Sequence, residues 1–146
     1  MKRIVMFAVL SLLLTSAAIG ADQVEGPKSC QQCGMDRVVF ARSRMIVTYA
    51  DGTEFATCSI HCAAEEMNEH KGKQVKSLQV ADYASRKLVD AKAATWVVGG
   101  KKHGVMTSLA KWAFARKEDA EKFVQENGGR VTTFDEAMSL ALKEDE

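Results

Sequence analysis

Met45-Ile-Val-Thr-Tyr-Ala-Asp-Gly-Thr-Glu-Phe-Ala-Thr-Cys-Ser-Ile-His-Cys62 sets the frame for the whole chain. Met45 to Ala50 alternates and is rich in β-branched and aromatic side chains, which predicts a strand. Asp51-Gly52 tolerates positive φ at both positions and predicts a two-residue hairpin turn. Thr53 to Thr57 is then the returning strand. Ser59 is placed to cap a helix from Ile60 to about His70, with Ile60, Ala63, Ala64 and Met67 on one apolar stripe. Lys71-Gly72-Lys73 ends that helix, and Val75 to Val80 reads as a further strand. The order is strand, strand, helix, strand.

The same order returns downstream. Thr95-Trp96-Val97-Val98 is a strand and Gly99-Gly100-Lys101-Lys102 a turn. His103 to Ala110 is an irregular loop that carries Met106, and Lys111 to Ala115 is the returning strand. Lys117 to Asn127 is an amphipathic helix with Ala120, Phe123 and Val124 inward, stopped by Gly128-Gly129. Arg130 to Thr132 is a short strand. Phe55-Ala-Thr-Cys58, a helix and Lys73-Gln-Val-Lys-Ser-Leu78 thus parallel Trp112-Ala-Phe-Ala115, a helix and Gly129-Arg-Val-Thr-Thr-Phe134. Cys58 falls opposite Ala115 and Cys62 opposite Asp119. The expected fold class is α+β, built from two weakly similar ββαβ repeats, with halves of 30–88 and 89–146. Outside the repeats, Val38 to Phe40 suggests a short strand. Thr133-Phe-Asp-Glu136 is a capping box that opens a last helix to about Lys143. Glu144 to Glu146 reads as a frayed acidic end.

The N-terminal residues read as a targeting segment rather than as part of the fold. Lys2 and Arg3 precede the apolar run Ile4 to Leu14, and Ser16-Ala17-Ala18-Ile19-Gly20-Ala21 follows. The run is too short for a stable membrane span, and the pattern is that of a secretory signal peptide over residues 1–20. Cleavage there leaves residues 21–146 as one domain, exported with no membrane anchor and no Cys at the cleavage site. The whole chain has 20 Lys and Arg against 19 Asp and Glu, so losing Lys2 and Arg3 makes it near neutral. No basic stripe appears, which argues against nucleic acid as a partner.

Four cysteines carry most of the chemistry: Cys30-Gln-Gln-Cys33-Gly34-Met35, then Cys58-Ser-Ile-His61-Cys62. In an oxidising compartment an even number of cysteines suggests disulfides. The spacing also resembles a metal knuckle, with Cys-x-x-Cys and Cys-x-x-x-Cys on either side of a hairpin. Thiolates and thioethers suit Cu(I), and thiolates suit Zn(II). A redox pair at Cys30 and Cys33 is a third reading, but thioredoxin-like motifs open a helix after a strand, whereas this one follows a Pro-containing lead-in. Backbone N–H groups at the start of the first helix favour the thiolate forms of Cys58 and Cys62.

Among the remaining candidates, Met45, Met67 and Met138 fall on apolar faces and read as core. Met35 and Met106 lie off the periodic segments, next to or near Gly, and join the cysteines as candidate ligands. His103 is a secondary candidate. His61 points about 100° from each helical neighbour and reads as a surface side chain. His70, at the helix end, reads as structural. Asp82 and Asp90 suit turns and caps at the junction of the halves. No hydrolytic constellation or phosphate-cradling loop is present, so the chain does not read as an enzyme.

Several further stretches resemble the NosL family: Cys33-Gly34-Met35, Val80-Ala81-Asp82-Tyr83, Val89-Asp90-Ala91-x-x-Ala94-x-Trp96-Val97, Met106 after a Gly-rich turn, and Ala113-Phe114-x5-Ala120-x-x-Phe123 with Gly128-Gly129. The resemblance spans nearly the whole exported chain. It implies a periplasmic metallochaperone that binds Cu(I) and supplies it to an acceptor protein, nitrous oxide reductase in the family's case. It also implies a fold like part of the organomercurial lyase MerB. Copper ligands implied by it map onto Cys33 and Met106, with Met35 a further candidate. Three departures stand out. The chain lacks the lipobox common in the family, and Val105-Met106-Thr107 replaces the usual Pro-Met-Gly. Cys58 and Cys62 are extra, and with Cys30 and Cys33 they resemble a TRASH-type knuckle. The competing expectation is a structural Zn(II) site made by all four cysteines, and a thiol–disulfide exchange protein is a third.

Overall fold

The computed structural model describes residues 24–145, so the targeting segment read at residues 1–20 lies outside the described residues. The quoted stretch folds into the expected strand, hairpin and helix, but the turn is three residues rather than two: Tyr49 N donates to Thr53 O at 2.9 Å, which leaves Ala50, Asp51 and Gly52 in the loop. Strand β1 (Met45–Tyr49) pairs antiparallel with β2 (Glu54–Thr57), Met45 facing Thr57 and Thr48 facing Glu54. Asp51 Oδ1 accepts from Thr53 N at 2.8 Å, and Gly52 takes φ 85°, the left-handed conformation that only glycine adopts cheaply. Helix α1 (Ile60–Glu69) follows and returns the chain to β3 (Val75–Ala81), which pairs antiparallel with the other edge of β1. Strand β4 (Leu88–Asp90) adds to β3, giving the order β2-β1-β3-β4.

The second half repeats this plan. Strands β5 (Thr95–Val98) and β6 (Lys111–Phe114), helix α2 (Lys117–Asn127) and strand β7 (Arg130–Thr132) form a sheet of order β6-β5-β7. Both sheets therefore place the first strand of the repeat between the second and third, with every pairing antiparallel. The α+β fold of two ββαβ repeats is as the sequence predicts. Helix α3 (Phe134–Leu142) closes the chain, followed by a 3-10 turn (Lys143–Asp145).

Two buried clusters flank the second sheet. One joins Met45, Val47 and Tyr49 of β1, Ile60, Ala63 and Ala64 of α1, Trp96 and Val98 of β5, and Phe134, Ala137 and Met138 of α3. The other holds Val97, Trp112, Phe114, Ala120 and Phe123 together with Cys30, Cys58 and Cys62. Strands β5 and β6 are covered on both faces, which is why Thr95-Trp-Val-Val98 and Trp112-Ala-Phe114 read as apolar runs rather than as alternation. The turn after β5 and the end of α2 meet backbone to backbone. A Cβ on Gly129 (φ 87°) would stand 2.7 Å from Val98 O, and one on Gly100 (φ 95°) 2.8 Å from Asn127 O.

The structure corrects several local expectations. Val38 to Phe40 is a turn and not a strand, because Asp36 organises it: Oδ1 accepts from Val38 N at 2.7 Å and from Val39 N at 3.2 Å. Ser59 is the N-cap of α1, but its side chain makes no capping hydrogen bond. The capping box of α3 is one-sided. Thr133 Oγ1 accepts from Glu136 N at 3.3 Å, while the Glu136 carboxylate turns to Arg130 and Thr132. Glu144 is not frayed. It pairs with Lys111 Nζ at 3.0 Å, and accepts hydrogen bonds from Leu109 N at 3.2 Å and from the Thr107 hydroxyl. No helix among the described residues is long and apolar enough to cross a membrane.

Candidate metal centre

The hairpin carries the two cysteine pairs together. The first pair sits on a tight loop of its own, closed by Cys30 N to Met35 O and Gly34 N to Cys30 O, both 2.8 Å, with Gly34 at φ 80°. A bridge between Ser29 and Asp36 seals its base. Gln31 fastens the loop to the edge of β2: its N donates to Ala56 O at 2.9 Å, and its Oε1 accepts from Ala56 N at 2.7 Å. Cys58 follows β2 directly and Cys62 lies in the first turn of α1. Cys58 thus precedes the helix, and the bend at Ser59 brings its sulfur back over the helix start.

The four sulfurs all lie within 4.8 Å of one another. Cys33 Sγ is 3.6 Å from Cys58 Sγ, and Cys58 Sγ is 3.7 Å from Cys62 Sγ. All four are free thiols. A tetrahedron of sulfurs around one ion, with bonds of ~2.3 Å, has edges of about 3.8 Å. Two edges of the group already have that length, and the four sulfurs are close enough to enclose a single soft ion. Cys30, Cys58 and Cys62 are buried, and Cys33 is the half-exposed member.

Electrostatics favour an anionic group here. Hydrogen bonds from the Cys58 and Cys62 thiols to the Cys30 sulfur hold Cys30 far below the usual thiol range. The same bonds, with burial, push Cys58 up to about 12 and raise Cys62 as well. The helix start therefore does not favour the thiolate at both Cys58 and Cys62, as the sequence suggested, because Cys30 is the member whose anionic form its neighbours favour. Beside it lies Arg37, wholly buried, whose Nε donates to Thr57 O at 3.0 Å and whose Nη1 donates to Glu25 O and Pro27 O, each at 2.6 Å. Arg37 was not a candidate on sequence, because a lone Arg in a polar loop has no periodicity to mark it as buried. It both locks the lead-in and stands as a cation near the thiolates.

The other candidates are more scattered. Met35 packs against the cluster that contains the thiols. Met106 is 41% exposed at φ 56°, next to buried Val105, which belongs to that cluster. His103 is exposed. His61 is buried, not a surface side chain, with Nε2 3.6 Å from Glu65 Oε1. Its face of α1 is covered as well as the apolar stripe, which the 100° rule alone could not foresee. His70 caps the end of α1, paired with Glu66 at 3.0 Å. Asp82 Oδ1 accepts from Ala115 N at 2.9 Å, where the second repeat has its counterpart of Cys58, and Asp90 Oδ1 accepts from Lys92 N and Ala93 N.

The profile of the NosL family matches residues 21–141. The chain belongs to the NosL family. Among solved structures it is similar to the copper chaperone NosL from Shewanella denitrificans, at 24% identity and a TM-score of 0.62, over 79% of this chain and 95% of that one. That likeness shows the NosL fold, and the thiol group above supplies a knuckle within it. No curated protein matches the chain.

Proposed function

We propose that this NosL-family protein binds Cu(I) through Cys30, Cys33, Cys58 and Cys62, with Met35 and Met106 as thioethers along the exit, and passes the ion to an acceptor protein. The observation that carries this reading is the four-thiol group with three members buried and one half-exposed. Buried sulfurs hold the ion away from water, and Cys33 offers a place to start exchange. An incoming thiol of the acceptor forms its bond to copper as the bond to Cys33 breaks, and its proton passes to the departing Cys33 thiolate. No electron moves, so the protein acts as a carrier and not as an enzyme. The copper chaperone similar in fold supports copper as the cargo. The N-terminal pattern supports a periplasmic location after signal cleavage, and the family resemblance supports nitrous oxide reductase as the acceptor.

Zn(II) is the second reading, and the sulfur spacings of 3.6 and 3.7 Å favour it, because they match two edges of a four-thiolate tetrahedron. Anaerobic titration of the reduced protein with Cu(I) and Zn(II) against competing chelators separates the two. The copper reading expects Cu(I) to outcompete Zn(II), transfer to an acceptor thiol to depend on Cys33, and Met106→Ala to slow transfer. Tight Zn(II) binding by all four cysteines, indifference to Met106 and unfolding on metal removal would overturn it.

A further inference from the structure

A groove opens beside the thiol group, and nothing in the copper chemistry uses it. Val39, Phe40, Arg42, Arg86, Val105 and Trp112 line a cavity of about 160 Å³. Phe40, Val105 and Trp112 also pack in the cluster that holds the thiols, so the groove and the metal centre share a wall. Ser43, on the same wall, donates to the carbonyl of Cys58 at 2.7 Å.

The chemistry of this groove is one-sided. Two arginines and no acidic residue line it. Arg42 is held by the Tyr83 carbonyl and lies over the Tyr83 ring at 5.1 Å, which fixes its direction. Arg86 is exposed, at φ 62°, and its guanidinium has no carboxylate partner among the described residues. Trp112 is only 7% exposed, yet its Nε1–H finds no acceptor among the described residues. Trp96, the other tryptophan, donates to Ala91 O at 2.8 Å. A buried donor without an acceptor is costly, and such groups mark places where a partner is missing. The rim is apolar: Val39 is 73% exposed, and Met106, next in chain to Val105, is 41% exposed.

We infer that this groove docks a short extended segment, apolar with a carboxylate side chain, belonging to the protein that exchanges copper with the thiol group. Its carboxylate meets Arg42, Arg86 and the Trp112 indole, and its apolar residues cover Val39 and Phe40. This rests on the copper reading for the partner's identity, though the groove's chemistry stands apart from it. Docking here sets an acceptor beside Val105, which precedes Met106, and beside Ser43, which is bonded to the Cys58 carbonyl.

The test uses the reduced protein and an acetylated, amidated pentapeptide Leu-Met-Asp-Leu-Glu, with its Asn/Gln counterpart as control. The two indole N–H resonances are assigned by the loss of one in Trp112→Phe. The acidic peptide is expected to move the Trp112 N–H signal and leave that of Trp96 in place. The control peptide and Arg86→Ala are each expected to weaken binding about fivefold, and salt to weaken it further. Equal binding of both peptides, or no movement of the Trp112 signal, overturns the inference. So does succinate alone reproducing the full effect, which would make the groove a small-carboxylate site. Cu(I) affinity measured in parallel keeps the two readings distinguishable, since the peptide experiment needs no metal.

Discussion

Cys33 and Cys58 lie 25 residues apart in the chain, and their sulfurs stand 3.6 Å apart in the fold. The hairpin between them and the Gln31 bonds to Ala56 bring them together, and the two thiols differ in surroundings: Cys58 is fully buried and Cys33 half-exposed. Removing either takes one sulfur from the set, so Cys33→Ser and Cys58→Ser should each weaken metal binding about tenfold or more. Their effects on the metal-free fold should diverge. Cys58→Ser puts a hydroxyl among apolar side chains and should cost about 1–3 kcal/mol, whereas Cys33→Ser should change stability by no more than about 0.5 kcal/mol. Chelator competition and thermal melts of each variant check both halves of this expectation.

How far the sequence reached follows from which signals have a period. The Asp51-Gly52 turn, the strands beside it and the helix over 117–127 were legible because alternation, helical spacing and glycine stops each act within a few residues. The pairing of the cysteines was legible through the same hairpin. Val38-Val39-Phe40 misled because three apolar residues resemble a strand, while the deciding group, the Asp36 carboxylate, precedes them. Arg37, Glu144 and the burial of His61 were hidden for a different reason. Each depends on a contact with a distant or non-periodic partner, and no local pattern encodes that.

Asp82 links the two repeats, and its carboxylate gives that link a pH dependence. Burial pushes its pKa up, but hydrogen bonds from Ser85, Ala115 and neighbouring backbone outweigh burial and hold it below the ordinary Asp value of 3.8. A depressed carboxyl contributes stability that is fully present above its unfolded pKa and is lost as pH falls through the folded one. The protein should therefore lose this contribution only on acidification below about pH 4. Asp82→Asn should lower stability at pH 7 by about 1–3 kcal/mol and flatten the acid limb of a urea-stability profile. An unchanged limb would assign acid sensitivity elsewhere.

Lys111 and Glu144 form a latch under the loop that carries Met106. The Lys111 ammonium is fully buried and reaches Thr107 Oγ1 at 2.8 Å, Leu109 O at 3.0 Å and Glu144 Oε2 at 3.0 Å. Glu144→Gln leaves that buried cation without its counter-ion, a loss of about 3 kcal/mol. The paired variant Lys111→Met with Glu144→Leu removes both charges and should recover much of it. Hydrogen exchange at Leu109 N, which Glu144 accepts from, should speed up in Glu144→Gln. If the single and double variants are equally unstable, the latch works by packing rather than by charge.

Arg37 is the last group whose role can be separated by substitution. Its guanidinium joins three carbonyls, from Glu25, Pro27 and Thr57, and Thr57 immediately precedes Cys58. Burial and the neighbouring Arg44 charge lower the pKa of Arg37, while Glu25 and the thiol group raise it, so the Arg37 cation and the Cys30 thiolate support one another. Arg37→Met keeps the length but removes the charge and the donors. It should raise the pH midpoint of thiolate absorbance by about one unit and speed hydrogen exchange through residues 24–30. Arg37→Lys restores the charge without the planar fork that reaches three carbonyls. It should therefore recover the thiolate midpoint but not the slow exchange. Recovery of both by Lys would mean that charge alone anchors the lead-in, and recovery of neither would mean that the fork sets the geometry on which the thiolates depend.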